Sequence, residues 1–377
     1  MTLRATGRSA IESLDFGYSD WLRDPTDDRQ PVLSTPIERV YLIGSGASVP
    51  YGLPTLKNLT RELAESLDEQ QRAVLLEAVF ECFNLNLEQC SDSPDFEELL
   101  NRLDLKALSY LVGVGLDNGL AFRKTALTLA LSGLRDFIRH RCMEVADRIG
   151  PYDRLVTSLG DKTAIVSFNW DVLLEVALAR AGRAYRYLPT RSSTIGTVLL
   201  KPHGSINWFA LLDRELLMVT PDSNLAAFGD HIAYYLLYVT DPLAPIVFGN
   251  STVEYALANV PAIVPPSASK LLDVGGKPRD NWVEFGHIKA IHNIWRTFKL
   301  MLDQASELVI IGYSLPGTDA SSITLLKNYA SERNSSSPKR VCLVEPNPAV
   351  AGRYEALLST KVEIVSRDFG SFDPSVL

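Results

Sequence analysis

The chain has 377 residues, of which 46% are hydrophobic and 22% are charged, and its formal net charge is −8. This composition is ordinary for a globular protein with a large core, and the acidic balance excludes a general electrostatic surface for nucleic acid. The sequence has no apolar stretch long enough to cross a membrane, no apolar signal core after Met1 and no CxxC spacing among its four cysteines. We therefore expect a cytoplasmic protein with reduced thiols and no membrane association.

The first part of the chain predicts an arm, one strand and a helical lobe. Residues 1–37 are polar and contain several prolines, and we interpret them as an N-terminal arm. The apolar run Arg39–Ile43 predicts a strand, and Thr55 is a candidate N-cap for the helix that follows. Residues 67–149 stay helical, with a helix start at Ser93-Pro94. Because this span is too long for one crossover connection, we expect it to form an inserted helical lobe.

The rest of the chain predicts five further strands with helical connections. An irregular insertion, broken by Gly and Pro, is expected at about 206–262, with a strand-like run at Ile246–Phe248. The alternation of strands and helices predicts an α/β fold in which residues 38–66 and 150–377 form a doubly wound, Rossmann-like, six-stranded parallel sheet. The five strands are Thr163–Val166, Thr197–Leu200, Leu308–Ile311, Arg340–Val344 and Val362–Val365.

A segment of small residues follows the first predicted strand. Small residues let a backbone approach a pyrophosphate, and a helix N-terminus offers free N–H groups. We assign this segment to dinucleotide binding; a tight strand-to-helix turn without a ligand is the alternative. The assigned residues are Gly44, Ser45, Gly46, Ala47, Ser48 and, just before the helix, Pro54.

Polar side chains also follow the second predicted strand. Asn169 and Asp171 alternate with two aromatic residues, so both polar side chains point the same way in an extended segment. An Asn offers a donor and an acceptor, whereas an Asp offers acceptors only. Asn169 and Asp171 are therefore candidate catalytic residues, and Ser167 is a candidate cofactor contact. The alternative for Asp171 is a cap on the next helix.

One histidine follows a predicted strand. His203 lies just after Thr197–Leu200, whereas the other four histidines fall in predicted insertions or in a predicted helix. An imidazole titrates near neutral pH and is the usual general base. His203 is therefore the candidate base, and a packed histidine without a catalytic role is the alternative.

Two later strand ends carry candidate contacts for the adenosine half of a dinucleotide. Gly312 and Ser314 follow one strand, and the Ser314 hydroxyl is a candidate phosphate contact. Glu345 and Asn347 follow the next strand and are candidates for binding ribose hydroxyls. Turns without a ligand are the alternative at both places, and Asp319 is predicted to cap the helix that follows it.

No metal is expected, because no Cys/His cluster has ligand spacing and no HExxH motif occurs. The lack of a GxSxG elbow and of a Walker loop disfavours a hydrolase triad and a P-loop ATPase. The candidate residues at the strand ends are instead expected to converge beyond the carboxyl edge of the sheet, where nucleotides bind in this class of fold.

Four segments, in this order, resemble the bacterial sirtuin-like NADases of anti-phage defence systems. The resemblance implies a sirtuin-like Rossmann domain that takes NAD⁺ as its substrate and cleaves it to nicotinamide and ADP-ribose. By the same resemblance, the Asn of the second segment orients water or the ribose hydroxyls, the His of the third acts as base, and the Asp of the second helps to seat the nicotinamide. The four segments are Gly44–Ser48, Ser167–Asp171, Lys201–Ser205 and Gly312–Asp319.

The chain also departs from true sirtuin deacylases. It lacks their four-cysteine zinc spacing, and Thr55-Leu56-Lys57 stands where they carry Asp-Phe-Arg. A protein deacylase or ADP-ribosyltransferase is therefore the weaker alternative, and a non-catalytic sensor of NAD⁺ or ADP-ribose is the stronger one. The resemblance further implies a homo-oligomer that depletes NAD⁺ on activation. It would work with a separate subunit such as a HerA-type ATPase or a short Argonaute, without direct nucleic-acid binding.

Overall fold

A computed structural model describes residues 36–103, 118–187, 196–212, 234–238, 243, 261–263, 288–317, 319–331 and 339–377. Nearly all of the expected arm at 1–37 lies outside these residues, and so does the strand-like run Ile246–Phe248. Within the described residues, no helix is long and apolar enough to cross a membrane.

The described residues form ten strands, most of which belong to one parallel sheet. Their bounds are β1 (Arg39–Ile43), β2 (Thr163–Ser167), β3 (Tyr185–Tyr187), β4 (Thr197–Leu200), β5 (Gly204–Leu212), β6 (Tyr234–Tyr238), β7 (Pro261–Ile263), β8 (Glu307–Ile311), β9 (Arg340–Val344) and β10 (Glu363–Ser366). Seven of them pair in parallel in the order β10-β9-β8-β1-β2-β4-β3, and β6-β5-β7 form a separate antiparallel sheet.

The α/β class and the parallel sheet are confirmed, but the expected count of six strands is wrong. The extra strand, β3, is three residues long and pairs only with β4 at the edge of the sheet. Such a short edge strand carries too little periodic pattern to be recognised from sequence. The six predicted strands all occur, each within one residue of its expected bounds.

The central strands are buried on both faces. β2 and β8 are buried along their whole length, and β1 is buried from Val40 to Ile43. Continuous apolar runs of this kind are typical of parallel strands that are covered by helices on both sides.

The sheet order places a reversal of the chain at β1. β1 pairs with β2 on one side and with β8 on the other, and Ile43 is in register with both Ser167 and Ile311. The three loops that begin at Gly44, Phe168 and Gly312 therefore start at the same level of the sheet. In an open parallel sheet, this reversal point is where ligands bind.

Nine helices longer than a single turn occur in the described residues. The first precedes the predicted lobe at 67–149, and the next three lie within it. α1 buries Leu59 and Leu63 on one face, which matches its helical spacing of apolar residues. Thr55 is its N-cap by position, but its side chain makes no capping hydrogen bond. The helices are α1 (Leu56–Ser66), α2 (Glu69–Phe83), α3 (96–103), α4 (Asn118–Val145), α5 (Pro151–Ser158), α6 (Leu173–Arg180), α7 (Ile288–Gln304), α8 (Ala320–Ser331) and α9 (Pro348–Leu358).

The helix start expected at Ser93-Pro94 lies slightly later in the chain. Asp95 caps α3, since its Oδ1 accepts hydrogen bonds from the backbone N–H groups of Glu97 (2.9 Å) and Glu98 (3.3 Å). Phe96, the first residue of α3, is fully buried and packs edge-on against Trp170, with ring centroids 6.2 Å apart. The helical segment is therefore docked on the loop that follows β2.

Candidate functional site

A cleft of about 630 Å³ opens at the carboxyl ends of the central strands. Its walls come from the loops that follow β1, β2, β4, β8, β9 and β10, and from the start of α3. The cleft brings together most of the residues that the sequence predicted for a nucleotide site. These are Gly44, Ser45, Gly46, Ser48, Pro54, Asn169, Asp171, His203, Gly312, Ser314 and Glu345.

The glycines after β1 and β8 allow two loops to pack backbone to backbone. A Cβ at Gly44 would lie 2.5 Å from the Cα of Tyr313, and a Cβ at Gly312 would lie 2.4 Å from the backbone nitrogen of Ala47. Gly312 also has a φ of 60°, in the left-handed region. Glycine is required here for the contact between the two loops, whatever ligand the cleft holds.

The backbone donors of the glycine loop are mostly used within the protein. The N–H groups of Gly44, Gly46, Ala47 and Ser48 all donate to backbone carbonyls. The loop continues as two short 3₁₀ turns, so it does not lead directly into the N-terminus of α1. Among the described residues, the Ser45 N–H has no acceptor, which leaves it as the free backbone donor of this loop.

Ser48 connects the two polar side chains that follow β2. Its hydroxyl donates to Oδ2 of Asp171 at 2.7 Å, so its oxygen accepts from Nδ2 of Asn169 at 3.1 Å. Nδ2 of Asn169 also lies 3.3 Å from the hydroxyl of Tyr152. With both N–H groups of the carboxamide used, Oδ1 of Asn169 is the atom left without a partner among the described residues.

The unpartnered oxygen of Asn169 is a feature that points to a ligand. Asn169 is 6% exposed and lines the cleft. A buried acceptor without a hydrogen bond costs about 1–3 kcal/mol, a cost that a bound hydroxyl or water would offset. Both polar side chains point the same way, as predicted, because both reach Ser48.

Asp171 is held by the protein on both carboxylate oxygens. Its Oδ1 accepts at 3.1 Å from the N–H of Leu173, the first residue of α6, although Val172 and not Asp171 occupies the N-cap position, and its Oδ2 accepts from Ser48. Burial raises the pKa of Asp171, against the opposing charge of Lys201. Asp171 lines the cleft, but its own oxygens chiefly hold the surrounding loops in place.

Lys201 joins the loops that follow β2 and β4. Its fully buried ammonium donates to the backbone oxygen of Asp171 (2.6 Å), to Oε1 of Glu175 (2.8 Å) and to Oγ of Ser205 (2.8 Å). All three donors of the ammonium are therefore satisfied. These three hydrogen bonds of Lys201 fix the segment that carries His203, which lies two residues further along the chain.

His203 faces a carboxylate that the sequence had suggested only as a helix cap. Its Nε2 lies 3.3 Å from Oδ2 of Asp319, close enough for electrostatic attraction but not aligned as a hydrogen bond. In the part of the chain that the structure describes, Nδ1 has no partner. Asp319 does cap α8, by accepting from the Ser322 N–H at 3.1 Å. Burial opposes ionisation of Asp319, but His203, Ser322 and Tyr313 outweigh it and hold the pKa of this carboxyl below its ordinary value.

Aromatic rings form the wall beside the imidazole. Phe168 stacks on Tyr313 with ring centroids 4.5 Å apart, and the His203 ring lies 4.9 Å from Phe168. The ring of Trp295 lies 6.0 Å from that of His203. These contacts fix the orientation of the imidazole and keep it 3% exposed.

Three predicted contact residues do not line the cleft. Ala47 is fully buried in the glycine loop, and Ser167 is buried, with its hydroxyl oxygen accepting from the Asn169 N–H. Asn347 caps α9, since its Oδ1 accepts from the Ala349 N–H at 3.0 Å. Asn347 therefore has the local structural role in a turn that the sequence analysis gave as the alternative to ribose binding.

The cleft also contains charged residues that the sequence did not assign to it. Lys57 and Arg367 add two cations, and Asp95 and Glu97 add two carboxyl groups from the start of α3. Nothing in the sequence indicates that the carboxyl groups of Asp95 and Glu97 reach the sheet.

No family model matches the chain, and no match is found among curated proteins. In the part of the chain that the structure describes, no group of three or more His, Cys, Asp or Glu side chains is arranged to hold a metal ion. The function is therefore inferred from the geometry of the cleft and its chemistry.

Proposed function

We propose that this chain is an NAD⁺ glycohydrolase, which converts NAD⁺ and water to nicotinamide, ADP-ribose and a proton. The observation that carries the proposal is that the unpartnered Oδ1 of Asn169 and the imidazole of His203 belong to residues lining the same cleft. The cleft lies at the reversal point of a parallel sheet, where dinucleotides bind in this class of fold. The resemblance to sirtuin-like NADases supports the same activity.

The reaction breaks the bond between C1′ of the ribose and the nicotinamide nitrogen. Nicotinamide leaves as a neutral molecule and needs no acid, while positive charge develops on the ribose as in sugar hydrolysis. Oδ1 of Asn169 accepts a hydrogen bond from the attacking water or from a ribose hydroxyl. His203 takes the proton, and the ionised Asp319 stabilises the imidazolium that results.

The rest of the cleft suits the other parts of the dinucleotide. The free Ser45 N–H and the Lys57 ammonium line the cleft and would bind the pyrophosphate. Ser314 and Glu345 lie at the carboxyl ends of β8 and β9, on the opposite side from His203, and would contact the adenosine half. Asp171 would act through Ser48, which keeps the Asn169 carboxamide in its orientation.

The biological role that we propose rests on the resemblance alone. The chain would be a homo-oligomeric defence effector that depletes NAD⁺ on activation. A separate subunit, such as a HerA-type ATPase or a short Argonaute, would control it. NAD⁺ loss should therefore be measured both with the purified chain and with a candidate partner added.

The activity is tested with Asn169→Ala, His203→Ala and the double variant. Each single change is expected to lower the rate of NAD⁺ loss by at least about 100-fold, since each removes a group that acts on the reacting atoms. Chromatography should identify nicotinamide and ADP-ribose in equal amounts. NAD⁺ loss by the double variant at the wild-type rate would falsify the assignment. Binding of NAD⁺ without cleavage, with or without a partner, would instead favour the sensor.

A further inference from the structure

Glu97 lies in the cleft but has no role in the mechanism above. It is the second residue of α3 and is 7% exposed, with its side chain on the cleft wall. The helix is fixed at this point by Asp95, which accepts from the Glu97 N–H, and by the packing of Phe96 on Trp170. The position of the Glu97 carboxyl is therefore set by the fold.

The Glu97 carboxyl lacks a partner among the residues that the structure describes. Among the described residues, no hydrogen bond or ion pair reaches it, and its charged neighbours are the carboxyl groups of Asp95 and Asp319. Burial and these two neighbours raise the pKa of Glu97 well above its ordinary value. Burial without an opposite charge favours the protonated form of a carboxyl, which offers one O–H donor beside one acceptor.

Two other unpartnered polar atoms belong to residues of the same cleft. They are the acceptor Oδ1 of Asn169 and the donor Nε1 of Trp170, both buried. Trp170 contacts Phe96, the residue next to Glu97, and Glu97 is electrostatically coupled to Asp319, which lies 3.3 Å from His203. A ligand group that fits here must itself carry a donor and an acceptor.

We propose that Glu97 selects the leaving group by pairing with a neutral primary carboxamide on its ring. The carboxyl O–H would donate to the amide oxygen, and the carboxyl C=O would accept from the amide N–H. This inference rests on the proposed function and narrows its substrate class to dinucleotides with an uncharged amide. A carboxylate at the same position would face Asp95 and Asp319 and would be rejected. Asp171 is less suited to this role, because both its oxygens already accept hydrogen bonds.

The test compares kcat/KM for NAD⁺ and for nicotinic acid adenine dinucleotide, in which the amide is a carboxylate. Wild type is expected to prefer NAD⁺ by at least about 100-fold, because a site built for polar pairing discriminates strongly. Glu97→Leu should lower kcat/KM for NAD⁺ about 100-fold and reduce the preference for NAD⁺ over the acid dinucleotide to below about fivefold. Glu97→Gln, which keeps a donor and an acceptor, should lose about tenfold and retain most of the preference.

Glu98→Gln is the matched control, since Glu98 pairs with Arg102 at 2.8 Å and does not line the cleft. It should leave the preference for NAD⁺ unchanged. The inference is overturned if Glu97→Leu, shown to be folded by circular dichroism, keeps the wild-type preference, or if Glu98→Gln changes it equally.

The result also separates this inference from the proposed function. If the wild type binds NAD⁺ without cleaving it, the glycohydrolase is excluded, and the ratio of the two dissociation constants, measured by calorimetry, tests Glu97 in the same way. If cleavage occurs with an unchanged ratio in Glu97→Leu, only the role of Glu97 fails. Binding of neither dinucleotide overturns both.

Discussion

The hydroxyl of Ser48 determines which atom of the Asn169 carboxamide faces the cleft. Because its proton goes to Asp171, its oxygen can only accept, and Asn169 must turn its nitrogen toward it. The sequence assigns Ser48 to phosphate binding through its backbone, yet its N–H donates to Ser45. One side chain thus converts a strand-end asparagine into a fixed acceptor.

Asp319 gives the first prediction. Asp319→Asn is expected to lower kcat for NAD⁺ cleavage by about 100-fold, because the imidazolium of His203 loses its neighbouring negative charge. KM should change by less than about threefold, since Asp319 does not line the cleft. Asp319→Glu keeps the charge and should recover part of the loss. Steady-state kinetics of the purified variants measure both constants.

Ser322→Ala is the matched control for Asp319. The Ser322 hydroxyl donates to the same carboxylate oxygen at 2.6 Å, but its removal leaves the charge in place. Its effect on kcat should stay below about fivefold. Equal losses in Ser322→Ala and Asp319→Asn would mean that Asp319 only supports the start of α8.

The sequence predicts which individual residues line the site better than it predicts which side chains contact them. Asn169 and His203 are identified because each follows a recognisable strand, and both line the cleft. The contact between His203 and Asp319 joins the loops after β4 and β8, so it depends on the order of strands in the sheet. Neither that order nor the reach of Glu97 from the helical segment can be read from local patterns.

The packed loops after β1 and β8 give a prediction about stability. Gly312→Ala is expected to destabilise the protein by about 3–5 kcal/mol, because Ala is strained at a positive φ and its Cβ would meet backbone atoms at 2.4–2.8 Å. Gly52→Ala is the matched control: its φ is 87°, but nothing lies within 4 Å. It should cost only about 1–2 kcal/mol, the strain of the left-handed conformation.

Urea unfolding of the two glycine variants measures both changes in free energy. Since Gly312 lines the cleft, Gly312→Ala should also impair NAD⁺ binding, whereas Gly52→Ala should not. Equal free-energy losses would show that the close approach of the two loops contributes nothing beyond backbone strain.

The strands are predicted well where burial imposes a clear pattern. Arg39–Ile43, Thr197–Leu200 and Arg340–Val344 have the expected bounds, because each is a short apolar run between polar residues. β3 has alternating Tyr and Arg and lies at the edge, where the pattern is weak. The antiparallel sheet of β5, β6 and β7 falls largely in the expected irregular insertion. The sequence does not predict this sheet, because its strands pair with segments far apart in sequence.

The cleft as a whole is assembled from two parts of the chain. The parallel sheet supplies the loops with Asn169 and His203, and the start of α3 adds Asp95 and Glu97 to the wall. The convergence of the strand-end loops at one edge of the sheet could be anticipated from the predicted alternation of strands and helices. The docking of α3 could not, because it depends on the contact between Phe96 and Trp170.

This docking leads to the last prediction. Phe96→Ala is expected to cost about 3–5 kcal/mol, because Phe96 is fully buried and its loss leaves a cavity against Trp170. Phe80→Ala is the matched control, since Phe80 is 55% exposed on α2 and its removal should change stability by less than about 0.5 kcal/mol. Unfolding in urea, followed by tryptophan fluorescence, gives both values. If the two variants lose similar stability, α3 is not anchored to the sheet through Phe96, and the wall that carries Glu97 would have to be held by other contacts.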